Sequence, residues 1–159
     1  LFVALHLVPS VRRFYSRSPG DTASFHKKDI RTGVFELFTG NEQLQSAYYL
    51  ALSEVRENIH DKNYFIAGAG WTQLWTRDTS YAVELAAGIL HPSTAQSSLI
   101  TCTEQVDGIG VVWLQDKCSH FGGWPNLSDA ISGARGAWSL YLINGDKTFA
   151  LWAYIVTKK

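Results

Sequence analysis

The sequence predicts an all-α fold: five amphipathic helices joined by alternately long and short connections, preceded by a short extended linker. Three observations carry that expectation. From Asn41 onward apolar residues recur at steps of three and four. Each such run opens on a capping residue or a proline, and those before the last close on a turn signal. The long connections, 61–77 and 115–127, are rich in glycine and tryptophan, whereas the short ones are tight turns.

The 159 residues suffice for one domain. Hydrophobic residues make up 46% and charged residues 18%, and the net charge is zero. That balance supports a sizeable core and offers no electrostatic case for nucleic acid or an anionic membrane as partner. Six tryptophans and seven tyrosines suit sugar binding, and equally a packed helical core. The chain has no methionine and opens on Leu1, so a processed product or a fragment is expected, with the fragment favoured.

Residues 1–38 are expected to be a linker or the end of a preceding module. Pro9, Pro19 and Gly20 punctuate them. The run Leu1–Val8 is too short to span a bilayer, which needs about 20 apolar residues, and suits a strand ending at Pro9. Arg12, Arg13, Arg17, Lys27 and Lys28 suit a solvated face. Gly33–Phe38 suits a short strand.

Residues 39–159 form the helical domain. The first helix opens at Asn41, an N-cap, and ends near His60. Its apolar stripe is Leu44, Ala47, Tyr48, Ala51, Val55 and Ile59. The second runs from Asp78 or Thr79 to Leu90, with Tyr81, Ala82, Leu85, Ala86 and Ile89 inward. Pro92 ends it or starts the third, which Ser93 caps and which runs to about Gln105 with Ala95, Leu99 and Cys102 on one face. Asp107-Gly108-Ile109-Gly110 breaks the pattern, and Val111–Leu114 suits an extended segment.

Asn126 or Ser128 caps the fourth helix, with Ile131, Ala134, Trp138, Tyr141 and Leu142 inward. Gly133 and Gly136 inside it imply close packing against a neighbour, since each costs about 1 kcal/mol relative to Ala. Asn144-Gly145 closes it. Asp146 starts the fifth, which buries Phe149, Trp152, Ala153 and Val156.

The chemistry concentrates in the long loops. In Trp71–Asp78 an Arg-Asp pair adjoins two tryptophans four apart. Asp78 can accept hydrogen bonds from vicinal hydroxyls, and Arg77 can donate several. Trp71 or Trp75 can face the C–H side of a pyranose. The structural alternative stays open. Asp78 caps the second helix, Arg77 pairs with Asp78 or Glu84, and the tryptophans are core. Cys102 and Cys118 lack zinc-site spacing, and the five histidines form no paired motif, so no metal and no cofactor are expected. There is no phosphate-binding glycine loop and no nucleophile elbow.

Leu74-Trp75-Thr76-Arg77-Asp78-Thr79-Ser80-Tyr81-Ala82 resembles the Trp-x-Arg-Asp signature of the six-hairpin (α/α toroid) glycosidases. That group includes glucoamylases and glycogen-debranching-like and rhamnosidase-like bacterial enzymes. The resemblance covers roughly residues 29–159. It implies that residues 39–159 are the first hairpins of an α/α toroid, and that Arg77 and Asp78 hold hydroxyls of a terminal sugar. Trp71 and Trp75 then wall the pocket. The second loop falls where that family places another pocket-lining loop, so Trp124 could stack on a sugar and Asp116 or Asp129 could bind hydroxyls. Ala130 and Gly133 depart from the family's pattern.

The implied activity is hydrolysis, with inversion, of terminal glycosidic bonds in an oligosaccharide or polysaccharide. Its general acid and base would flank the bond at about 6.5–9.5 Å. The resemblance places both on later hairpins, so this chain is expected to hold substrate-binding residues but no catalytic pair. The expected partners are therefore the saccharide and the missing C-terminal hairpins of the same domain. Family analogy leans to a secreted or periplasmic setting. The rival expectation is a non-catalytic carbohydrate-binding or structural helical module.

Overall fold

The computed structural model describes residues 37, 39–117, 120 and 122–159. Apart from Leu37, the expectations for 1–38 lie outside the described residues: the linker, both strands and the basic face. So do His6, His26 and Cys118.

Helix α1, Glu42–Glu57, begins where Asn41 Oδ1 accepts from the Leu44 amide at 3.0 Å. A hairpin follows at once. Strand β1, Ile59–His60, pairs antiparallel with β2, Tyr64–Phe65, in the register Ile59↔Phe65 and His60↔Tyr64. Asn63 makes the turn at φ 60°, a left-handed conformation that asparagine tolerates better than most residues. The His60 and Tyr64 rings stack at 4.5 Å.

Helix α2 comprises an α-helical segment Thr76–Ala82, a π-helical segment Val83–Ala87 and a last turn Gly88–Leu90. Helix α3, Pro92–Thr101, starts on a proline whose missing N–H costs nothing at the first position. Ser98 of α3 accepts the Phe65 amide at 2.8 Å, which docks the first hairpin on this helix.

A second hairpin joins β3, Thr103–Val106, to β4, Gly110–Trp113, in the register Thr103↔Trp113 through Val106↔Gly110. Gly108 and Gly110 turn it at φ 75° and 102°. Helix α4, Leu127–Asn144, is capped by Asn126 and closed by Gly145 at φ 71°. Helix α5, Lys147–Thr157, starts where Asp146 accepts from the Thr148 and Phe149 amides, both at 3.0 Å.

The all-α expectation, and the toroid implied with it, is overturned. The described residues are 59% helical but include four strands in two antiparallel sheets, a mixed α/β arrangement. The third helix does not reach Gln105. It stops at Thr101, and the Asp-Gly turn at 107–108 folds Thr103–Val106 back as a strand.

The core gathers Leu74, Val83, Leu99, Trp113, Leu140, Phe149, Ala153 and Val156. Trp113 Nε1 donates to Thr157 Oγ1 at 3.0 Å, fixing β4 beneath α5. The expected inward faces hold for α3 and, for the most part, for α5, where Trp152 is half-buried. They fail elsewhere. In α1 only Leu52 is buried, and Leu44 is exposed.

On α2 and α4 the faces are reversed. Thr76, Thr79, Ser80, Val83 and Ala87 point inward on α2, as do Asp129, Gly133, Gly136, Ala137 and Leu140 on α4. Tyr81, Leu85, Ile89, Ile131, Trp138 and Leu142 are exposed. Both helices are apolar on two sides, and close approach selects the side with small residues. A Cβ on Gly136 would lie 2.9 Å from Ser80 Cα, and one on Gly133 would strike the Trp113 ring at 2.5–2.8 Å. The packing role expected of these two glycines is what the geometry shows.

Candidate functional site

The two long loops meet at the start of α2. Trp75 is extended, at φ −107° and ψ 132°, and forms an antiparallel bridge with Asp116. The Thr76 amide donates to the Gln115 carbonyl at 3.4 Å, and the Lys117 amide to the Leu74 carbonyl at 3.2 Å. Thr76 Oγ1 donates to the Leu114 carbonyl. The Gln115 amide reaches the Gly123 carbonyl at 3.2 Å, closing the second loop on itself. Leu74, fully buried, anchors the first loop from below.

Arg77 follows this junction. Its guanidinium carbon stands 5.8 Å from the Trp75 ring centroid, within cation–π range. Its Nη1 donates to both oxygens of Asp129, at 2.8 and 2.7 Å. These residues are 52 apart in sequence and join the first turn of α2 to the first turn of α4. Ser128 Oγ lies 3.4 Å from the same nitrogen. Asn126 extends the network: its Oδ1 accepts from Ser128 Oγ at 2.7 Å and the Asp129 amide at 3.3 Å, while its Nδ2 donates to Gln115 Oε1 at 3.2 Å.

Asp78 occupies the third position of α2 and is exposed. It does not cap the helix. The cap position is Trp75, with no side-chain hydrogen bond. Desolvation raises the Asp78 carboxyl above its ordinary value, while a backbone hydrogen bond and the Arg77 charge act the other way. Asp129, fully buried, is also raised. Desolvation is again the main cause. Arg77 and Ser128 oppose it, and the negative charge of Asp78 adds to it.

Of the six residues expected in the site, Trp75, Arg77 and Asp78 share the start of α2, and the backbone of Asp116 bridges to Trp75. Trp71 is 54% exposed on the tip of the first loop, where its amide donates to the Gly68 carbonyl at 2.9 Å. Asp116 is only 2% exposed, so it stands behind the surface rather than on it. Trp124 is half-buried in the second loop, two residues before the cap of α4.

Arg77 pairs with neither Asp78 nor Glu84 as a salt bridge. Glu84 is taken by Arg135, at 2.7 Å. Asp129 is therefore the residue whose role sequence reasoning placed elsewhere, as a hydroxyl ligand or helix cap. Its position three residues after Asn126 marked it as a first-turn acid, but nothing local pointed to Arg77. Ser128, weighed as a cap of α4, instead lies beside the Arg77–Asp129 pair, and Asn126 is the cap. Among the described residues no group of three or more His, Cys, Asp or Glu could hold a metal ion, and no helix is long and apolar enough to cross a membrane. No protein-family model, curated protein or solved structure matches the chain.

Proposed function

We propose that the chain supplies the sugar-holding part of a glycoside hydrolase acting on terminal sugars of an oligosaccharide or polysaccharide. The observation that carries this reading is the junction of Trp75, Arg77 and Asp78 on one turn, braced by Asp129. A guanidinium 5.8 Å from an aromatic ring centroid and an exposed carboxylate on the next residue share the start of α2. Hydroxyls pair with the guanidinium and the carboxylate, and the C–H face of a pyranose suits the ring. Trp71 and Trp124 are the further aromatic surfaces on the two loops.

In this reading the chain's own residues bind and orient the sugar but do not break the bond. Asp129 is committed to Arg77, and Asp116 is buried. Neither is placed as the general acid or base of an inverting hydrolysis, in which the carboxyls must flank the bond. The same two facts favour the second reading, a non-catalytic carbohydrate-binding module that uses the same contacts.

The test is a titration of the chain with neutral oligosaccharides while tryptophan emission is followed, alongside an assay on aryl glycosides. Saturable emission changes without turnover are the expected result. Absence of any saturable change overturns both sugar readings. Robust turnover by the chain alone overturns the assignment of binding without catalysis.

A further inference from the structure

We infer that Asp129 sets the charge preference of the site, restricting it to neutral sugars and excluding uronic acids and phosphorylated sugars. This rests on the sugar-binding reading above and names its ligand class. The first loop adds Lys62 in the turn of the first hairpin; the second loop and the first turns of α2 and α4 carry two full cations among the described residues, Arg77 and Lys117. Both are already paired. Arg77 Nη1 holds both oxygens of the fully buried Asp129, at 2.8 and 2.7 Å. Lys117 Nζ lies 3.0 Å from Glu104 Oε2.

Each pair is neutral as a unit, and Asp78 adds one exposed negative charge beside Arg77. Hydroxyl groups lose nothing in such a field. They accept from the nitrogens of Arg77 that Asp129 does not use and donate to Asp78. A ligand carboxylate or phosphate meets Asp78 with no uncommitted cation on the first turns of α2 and α4 to answer it, and like charges brought together are disfavoured. Asp129 thus does not touch the ligand. It acts through Arg77, by spending that residue's charge in the interior while leaving its donors in place.

The test compares glucose, mannose and galactose, each against its own uronic acid, by tryptophan emission at low salt and pH 8. Low salt keeps the repulsion unscreened. At least one neutral sugar binds the wild-type chain, with its uronic acid weaker by about fivefold or more, fivefold being the scale of one charge repulsion at about 4 Å in bulk water. Asp129→Asn frees the Arg77 charge and brings that ratio to near parity. Asp78→Asn, at an exposed position, does the same by removing the repelling group, and an unchanged ratio there overturns the inference even if Asp129→Asn does not fold. The double variant prefers the uronic acid.

Equal binding of a sugar and its uronic acid by wild type overturns the inference while leaving the sugar-binding reading intact. So does a ratio unchanged by the folded variants. Failure of the wild-type chain to bind any of the six sugars overturns the reading and the inference together.

Discussion

Removing Arg77 should cost more than removing Asp129, although they form one ion pair. The asymmetry comes from burial. The Asp129 side chain is fully buried, whereas 32% of the Arg77 side chain is exposed. Arg77→Ala therefore strands a carboxylate with no water to replace two short charge-assisted bonds. Breaking a buried pair in this way costs about 3–5 kcal/mol, and the lower end applies here because Ser128 Oγ remains close by. Asp129→Ala leaves a guanidinium that can turn to solvent, so its loss is about 1–2 kcal/mol, nearer the scale of exposed pairs. The double variant removes the stranded charge as well as its partner and should be more stable than Arg77→Ala alone.

The penalty in Arg77→Ala also depends on pH. Losing the cation that lowers the Asp129 carboxyl leaves desolvation and the Asp78 charge to raise it further. A carboxyl raised in the folded state adds stability that is complete below the unfolded value, about 3.9. That stability is lost as pH rises through the folded value. The penalty should thus be small near pH 4 and grow toward pH 8, and the double variant should lack that growth. Urea unfolding followed by tryptophan emission at several pH values measures both effects. Equal losses in the two single variants, or a penalty in Arg77→Ala that does not change with pH, would refute the reasoning.

Two further outcomes test the packing. Gly136→Ala places a methyl 2.9 Å from Ser80 Cα, so α2 and α4 must separate; overpacking of about 1–3 kcal/mol outweighs the gain in helix propensity of about 1 kcal/mol. Ser80→Gly in the same chain should restore part of the urea midpoint, and a Gly136→Ala chain more stable than wild type would contradict the close crossing. The exposed faces of α2 and α4, with Leu85 at 77% and Trp138 at 58%, should make the chain associate as concentration rises. Sedimentation velocity over a wide concentration range reads this, with Leu85→Lys and Trp138→Lys reducing it; a wild-type monomer at every concentration would count against those faces being sticky.

Helix starts were legible because their chemistry is local. Asn41, Pro92, Asn126 and Asp146 each satisfy or omit an amide within three residues, and Gly145 supplies the left-handed turn that closes α4; the exceptions are α2, which starts at Thr76 rather than Asp78 or Thr79, and α3, which has His91 and not Ser93 at its cap position. The hairpins were less visible. Ile59–His60 and Tyr64–Phe65 are too short to show alternation. Thr103–Val106 followed the helical period until the Asp-Gly turn overrode it. Helix faces were ambiguous on α2 and α4 because large apolar residues lie opposite the small ones, and size matching decides which side is covered. Within the site, Trp75, Arg77 and Asp78 stand together because they are adjacent in sequence. The partner of Arg77 does not, so spacing along the chain could weigh only Asp78 and Glu84.

The most direct measurement is calorimetric titration of wild type and Asp78→Ala with a neutral oligosaccharide. Asp78 is exposed and is not the cap of α2, so the variant should fold as wild type does. If Asp78 and Arg77 hold the sugar, the wild-type chain binds and Asp78→Ala loses the heat of binding. An affinity unchanged in a folded Asp78→Ala chain would contradict the account at its centre.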